Sequence, residues 1–80
     1  MKEIAFTAPA RRQFRALPQD IQAQIRAKLA RYAETGAGDV TALQGVAGFR
    51  LRHRDYRAIF VETETALEIR AVGHRRDIYR

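Results

Sequence analysis

Eighty residues, 46% apolar and 30% charged, make a single globular domain near the size at which one core is only marginally stable; no stretch approaches the roughly 18 apolar residues of a membrane span, and the first six residues are too short for a secretory signal, so the chain is expected in the cytoplasm. Without cysteine there are no disulfides, thiolate metal sites or cysteine nucleophiles, and His53 and His74 cannot close a zinc site alone, so neither metal nor cofactor is expected. Fifteen cations, thirteen of them arginine, against nine acids give a net charge of +6 and a pI of about 10.8, a balance that favours nucleic acid or an acidic protein partner over neutral ligands.

The chain opens on a short alternation, Ile4 and Phe6 against Glu3 and Ala5, that predicts a strand of about five residues. Thr7 can then cap a helix whose first turn holds Ala8 and Pro9, where a missing N–H is harmless. Ala10, Phe14 and Leu17 recur at helical spacing opposite Arg11, Arg12 and Arg15. Leu17-Pro18 breaks this helix, and Ile21, Ile25, Leu29 and Tyr32 stripe a second one from Gln19 to Ala33, ended by Gly36-Ala-Gly38-Asp39. Two helices this close in sequence form a hairpin.

Residues 36–48 hold four of the five glycines and little periodicity, which reads as a connection with a helical turn near Thr41 to Leu43. The period then changes to two. Phe49, Leu51 and His53 fall on one face and Arg50, Arg52 and Arg54 on the other, and Arg54-Asp55 turns the chain into a second strand, Tyr56 to Val61. Glu62 to Thr65 is a second hairpin loop, Ala66 to Val72 a third strand with Leu67, Ile69 and Ala71 facing together, and Gly73 closes it before the tail GHRRDIYR. The expected class is α+β in the order β-α-α-β-β-β: a two-helix hairpin packed on one face of a small, mainly antiparallel sheet, leaving arginines for the other.

Arg50, Arg52, Arg54 and Arg57 lie within eight residues countered locally by Asp55 alone, and such a patch repels itself unless anions neutralise it. Phosphate contacts from clustered arginine are the usual source of nucleic-acid affinity. The plain structural alternative is internal pairing with Asp55, Glu62, Glu64 or Glu68. The tail adds His74, Arg75, Arg76 and Tyr79, the side-chain types a metal-independent ribonuclease needs: cations for a phosphorane and titratable groups for protons. RNA supplies its own 2′-hydroxyl nucleophile, so the protein has only to align, deprotonate, neutralise and protonate. Arginine stays protonated, so a base would be Tyr79, His53 or His74, with a phenol among arginines lowered in pKa. The same tyrosine reads equally as a terminal aromatic packed at the sheet edge, and His74 as a solvated residue after a strand.

The helix LPQDIQAQIRAKLARY, the hairpin FRLRHRDYRAIF and the strand and tail RAVGHRRDIYR together resemble the RelE/ParE superfamily of bacterial type II toxins, over almost the whole of residues 1–80. The resemblance implies one toxin domain with its first strand inserted beside the three-strand meander. It also implies a cognate antitoxin that wraps the domain and covers its basic face in a hetero-oligomer. In the RelE branch it implies a ribosome-dependent mRNA endonuclease that leaves a 2′,3′-cyclic phosphate and a 5′-hydroxyl. Carried over by position, Arg57 is the transition-state stabiliser, Arg75 binds the phosphate and leaving group, and Tyr79 is the base or orients the nucleophile. Arg50 and Arg52, with Arg54, His74 and Arg76, engage RNA. The segment Gly73 to Tyr79 is shorter than in the best-known ribosome-dependent members, and arginines stand where those members have lysines in the basic strand. Two other functions fit the same scaffold: DNA gyrase inhibition, as in the ParE branch, and a non-catalytic module that binds RNA or an acidic peptide.

Overall fold

A computed structural model describes residues 1–78, in the order β1 (Glu3–Phe6), α1 (Ala8–Arg15), α2 (Gln19–Thr35), β2 (Val40–Ala42), β3 (Phe49–His53), β4 (Tyr56–Glu62), β5 (Ala66–His74) and α3 (Arg75–Ile78). Thr7 caps α1, its Oγ1 accepting the N–H of Ala10 at 3.3 Å, and Pro9 sits in the first turn. α2 ends where Gly36 enters the left-handed region at φ 73° and donates its N–H to the Tyr32 carbonyl.

The strands form one sheet in the order β1-β5-β4-β3-β2. β1 runs parallel to β5, with Ile4 opposite Leu67 and Phe6 opposite Ile69, and all other pairs are antiparallel. The helices cover one face. Phe14, Ile25 and Leu29 meet Leu51, Phe60, Leu67 and Ile69, all buried, each contributing on the order of 1.5–3 kcal/mol through removal from water. No helix among the described residues is long and apolar enough to cross a membrane.

The structure corrects the sequence-based expectation in three places. The segment expected as a helical turn near Thr41 to Leu43 begins as strand β2, because Val40, Thr41 and Ala42 pair with Leu51, Arg50 and Phe49 and satisfy backbone groups that β3 would otherwise leave unpaired at an edge. β5 does not close at Gly73 but runs through it to His74. A bulge also interrupts its alternation: Ile59 faces Ala71 while Phe60 faces Ile69, so Arg70 is the extra residue. The inward set is therefore Leu67, Ile69 and Val72, with Ala71 only half-buried. Beyond β5 the tail starts with the single turn α3.

Candidate nucleic-acid interface

Alternation fixes which side chains face away from the helices. Leu51 and His53 on β3 and Ala58 and Phe60 on β4 are buried on the helix side, which turns Arg50, Arg52, Arg57 and Ile59 to the open face. Arg52 lies directly opposite Arg57, and Arg57 is flanked on its other side by Gly73 of β5. A Cβ built at Gly73 would meet nothing within 4 Å, so the space beside Arg57 is open.

The β3–β4 loop is Arg54-Asp55, with His53 opposite Tyr56 closing the ladder. Arg54 adopts φ 55°, a left-handed conformation that is uncommon for a residue with a Cβ and that lets so short a loop reverse the chain. This turn holds the two predicted catalytic arginines. Arg57, 9% exposed, donates through Nη1 to the carbonyls of Arg54 and Tyr56, both at 2.8 Å. Arg75 donates its backbone N–H to the Asp55 carbonyl at 2.7 Å and places Nε 3.6 Å from Asp55 Oδ1. The two arginines, eighteen positions apart in the chain, thus converge on one reverse turn. The Arg75–Asp55 pair is exposed, of a kind worth at most about 1 kcal/mol, so an incoming anion can displace it.

Arg52 stands 4.0 Å from Asp39 Oδ2, again with both groups exposed. Asp39 is the partner the sequence did not suggest: it precedes β2, and only the unforeseen β2–β3 pairing brings it to Arg52, whose N–H donates to the Asp39 carbonyl at 2.9 Å. Arg50 sits between Thr41 and Ile59 on the same face. Arg54 and Arg76 are exposed at the turn and on α3. Tyr79 lies outside the described residues.

Neither histidine joins this face. His74, expected to contact RNA, pairs with Tyr56 on the helix side, the rings edge-on at 5.6 Å, and lines a groove of about 420 Å³ with Gln13, Leu17 and Asp77. Its Nδ1 accepts the Arg76 N–H at 3.2 Å. His53 is 7% exposed beneath α2, its Nε2 donating to Gln24 Oε1 at 2.6 Å while Nδ1 is buried without a partner. Burial lowers its pKa, and Lys28 and Arg54 lower it further, so the ring is neutral at pH 7. The expectation that either histidine could serve as base beside the arginines is therefore corrected, because both project through the sheet to the opposite side. Among the described residues no three His, Asp or Glu side chains cluster closely enough to hold a metal ion.

No protein-family model matches the chain, and no curated protein does. Solved structures do match. The isolated E. coli RelE toxin has a TM-score of 0.81 at 19% identity, over 92% of this chain and 84% of that one. A chain of the toxin–antitoxin complex RelBE2 from Mycobacterium tuberculosis gives 0.80 at 24% identity, over 92% and 98%. One from the RelB–RelE antitoxin–toxin complex of Methanococcus jannaschii gives 0.78 at 19%, over 94% of each. The fold is therefore RelE-like.

Proposed function

We propose that this chain, a single toxin domain over residues 1–80, is the toxin of a toxin–antitoxin pair and cuts ribosome-bound mRNA in the cytoplasm without a metal. The observation that carries the reading is the Arg54-Asp55 turn, which anchors Arg57 and Arg75 together beside an open stretch of sheet. The fold it shares with chains of RelB–RelE complexes supports an antitoxin as partner, and the basic open face supports an acidic segment of that antitoxin as its cover.

In the proposed reaction the 2′-oxygen attacks the adjacent phosphorus, the bond to the 5′-oxygen breaks, and a 2′,3′-cyclic phosphate and a 5′-hydroxyl result. Arg57 neutralises charge on the phosphorane, with Nη1 tied to backbone carbonyls so that little reorganisation accompanies the reaction. Arg75 exchanges Asp55 for the phosphate and steadies the leaving oxygen. With both histidines on the far side of the sheet, Tyr79 as its phenolate takes the 2′-hydroxyl proton, and the departing 5′-oxygen takes a proton from water, whose hydroxide then restores the phenolate. Arg50, Arg52, Arg54 and Arg76 hold the flanking phosphates.

Primer extension on mRNA in a translating extract tests this. The protein should create new 5′ ends, and Arg57→Ala or Tyr79→Phe should each reduce them by about 10²-fold or more. Unchanged cutting by both variants overturns the roles. Inhibition of gyrase supercoiling at concentrations that leave mRNA intact overturns the reaction.

A further inference from the structure

The helical layer holds more of the net charge than the sheet. Residues 8–35 carry six cations, Arg11, Arg12, Arg15, Arg26, Lys28 and Arg31, against two acids, Asp20 and Glu34, so four of the six net positive charges lie there. The ion pairs among the described residues include Lys2, Arg52, Arg70 and Arg75, all outside α1 and α2, while Arg11, Arg15 and Arg26 share in none. These three gather around a cleft of about 240 Å³ whose floor is Phe6 and Phe14 and whose rim includes Gln22.

We infer that this cleft is a second RNA-docking surface, in which Arg11, Arg15 and Arg26 engage backbone phosphates of a folded RNA that holds the domain from both faces. It rests on the reading of the chain as an RNA-directed protein. Arg11 and Arg15, four apart on α1, project from one side of the helix. Arg26 reaches them from α2 with its guanidinium carbon 5.2 Å from the centre of the Phe14 ring, a contact that holds the cation at the cleft before a ligand arrives. Arg15 is in the last turn of α1, where the helix end favours a cation, but Arg11 and Arg26 are not at that end. The cleft is small for a nucleoside and suits a phosphate group, and at its rim Gln22 Nε2 donates to the carbonyls of Arg15 and Leu17, which pins the end of α1 to α2. The arginines of β3 and β4 lie on the opposite side of a body 23 Å across its thinnest axis. A single strand lying along the sheet touches one side only, whereas a cleft in folded RNA reaches both.

Pelleting with purified ribosomes across a range of KCl tests the assignment. The triple variant Arg11→Gln, Arg15→Gln, Arg26→Gln should bind at least about 10-fold more weakly at 0.1 M salt, with the slope of log K on log salt shallower by about two, close to the roughly 0.7–0.9 expected for each phosphate that is no longer neutralised. Its thermal midpoint should stay within a few degrees of the parent. A control with the same charge change outside the cleft, Lys28→Gln, Arg31→Gln, Arg70→Gln, should lose much less. Equal losses in the two triples, or parental affinity and slope in the first, overturn the inference. Primer extension separates it from the catalytic reading: arginine-dependent binding by a protein that cuts nothing upholds the docking surface and ends the nuclease assignment. Cutting by a cleft variant that binds as the parent does the reverse.

Discussion

His53 ends strand β3 one residue before the turn that holds Arg57 and Arg75, and its ring is buried against Gln24 with Nδ1 unpartnered. Its pKa is lowered from 6.5 in the folded protein, chiefly by burial. A depressed histidine pKa leaves stability full above the unfolded value. As pH falls through 6.5 the unfolded chain takes up the proton first, and stability declines until the folded pKa is passed. Urea midpoints should therefore drop between pH 7.5 and 5, and His53→Leu should remove that part of the slope. The alternation of FRLRH already places His53 with Phe49 and Leu51 on the inner face. For His74 the same logic is out of reach, because a bulge at Arg70 resets which face the last residues of β5 present, and a period of two carries no mark of an inserted residue. Tyr79 is singled out by position alone.

At the scale of elements, the regular ones are legible and the conditional ones are not. α1 and α2 carry their stripes, caps and breakers in the chain: Thr7, Pro9, Pro18 and Gly36. β2 has no such signal. Val40, Thr41 and Ala42 become a strand only because β3 offers an edge, and the connection returns through Gly48 at φ 128°. At that residue a Cβ would stand 3.1 Å from the Phe60 carbonyl oxygen and 3.2 Å from Leu43 Cδ1. Gly48→Ala should consequently destabilise the protein by about 1–3 kcal/mol, combining disallowed backbone and crowding. Denaturant unfolding gives the number, and loss of hydrogen-exchange protection should begin at the Arg52 amide, which bonds Asp39. A neutral result would mean that the loop shifts without disturbing β4. Elsewhere the ties are local to the sheet rim, as where Glu62 accepts from Lys2 Nζ at 2.7 Å and from the Tyr32 hydroxyl at 3.0 Å.

For the molecule as a whole, charge works against compactness. Six net positive charges on a body of 29 × 28 × 23 Å repel one another, and the acids seen pairing with arginines, Asp39, Asp55 and Glu68, lie outside α1 and α2. An anion that binds the folded arginine clusters should then stabilise the fold. Phosphate at about 0.1 M should raise the thermal midpoint by several degrees over chloride of equal ionic strength, in line with the few degrees per kcal/mol expected of a domain this size. Equal midpoints in the two salts would mean that the clusters do not select phosphate. The basic balance is plain from composition, and FRLRHRDYRAIF directs attention to the sheet. Composition has no address, however: a count over residues 8–35 puts four of the six net charges on α1 and α2, but that Arg11, Arg15 and Arg26 gather at one cleft emerges only in the fold.

Among the described residues β1 pairs with β5 alone, through Leu67 and Ile69. At roughly 5–20 residues per second, some 3–13 s of synthesis separate Ile4 from its partner. Over that interval β1 has the helices to lean on, through Phe6 against Phe14, but no strand to pair with, and at its end Arg57 has been made but Arg75 has not. Closure of the sheet at β1 and the arrival of Arg75 at the Arg54-Asp55 turn therefore both come late. A chain stopped before residue 66 lacks the strand that β1 pairs with, and its open core is ready prey for proteolysis.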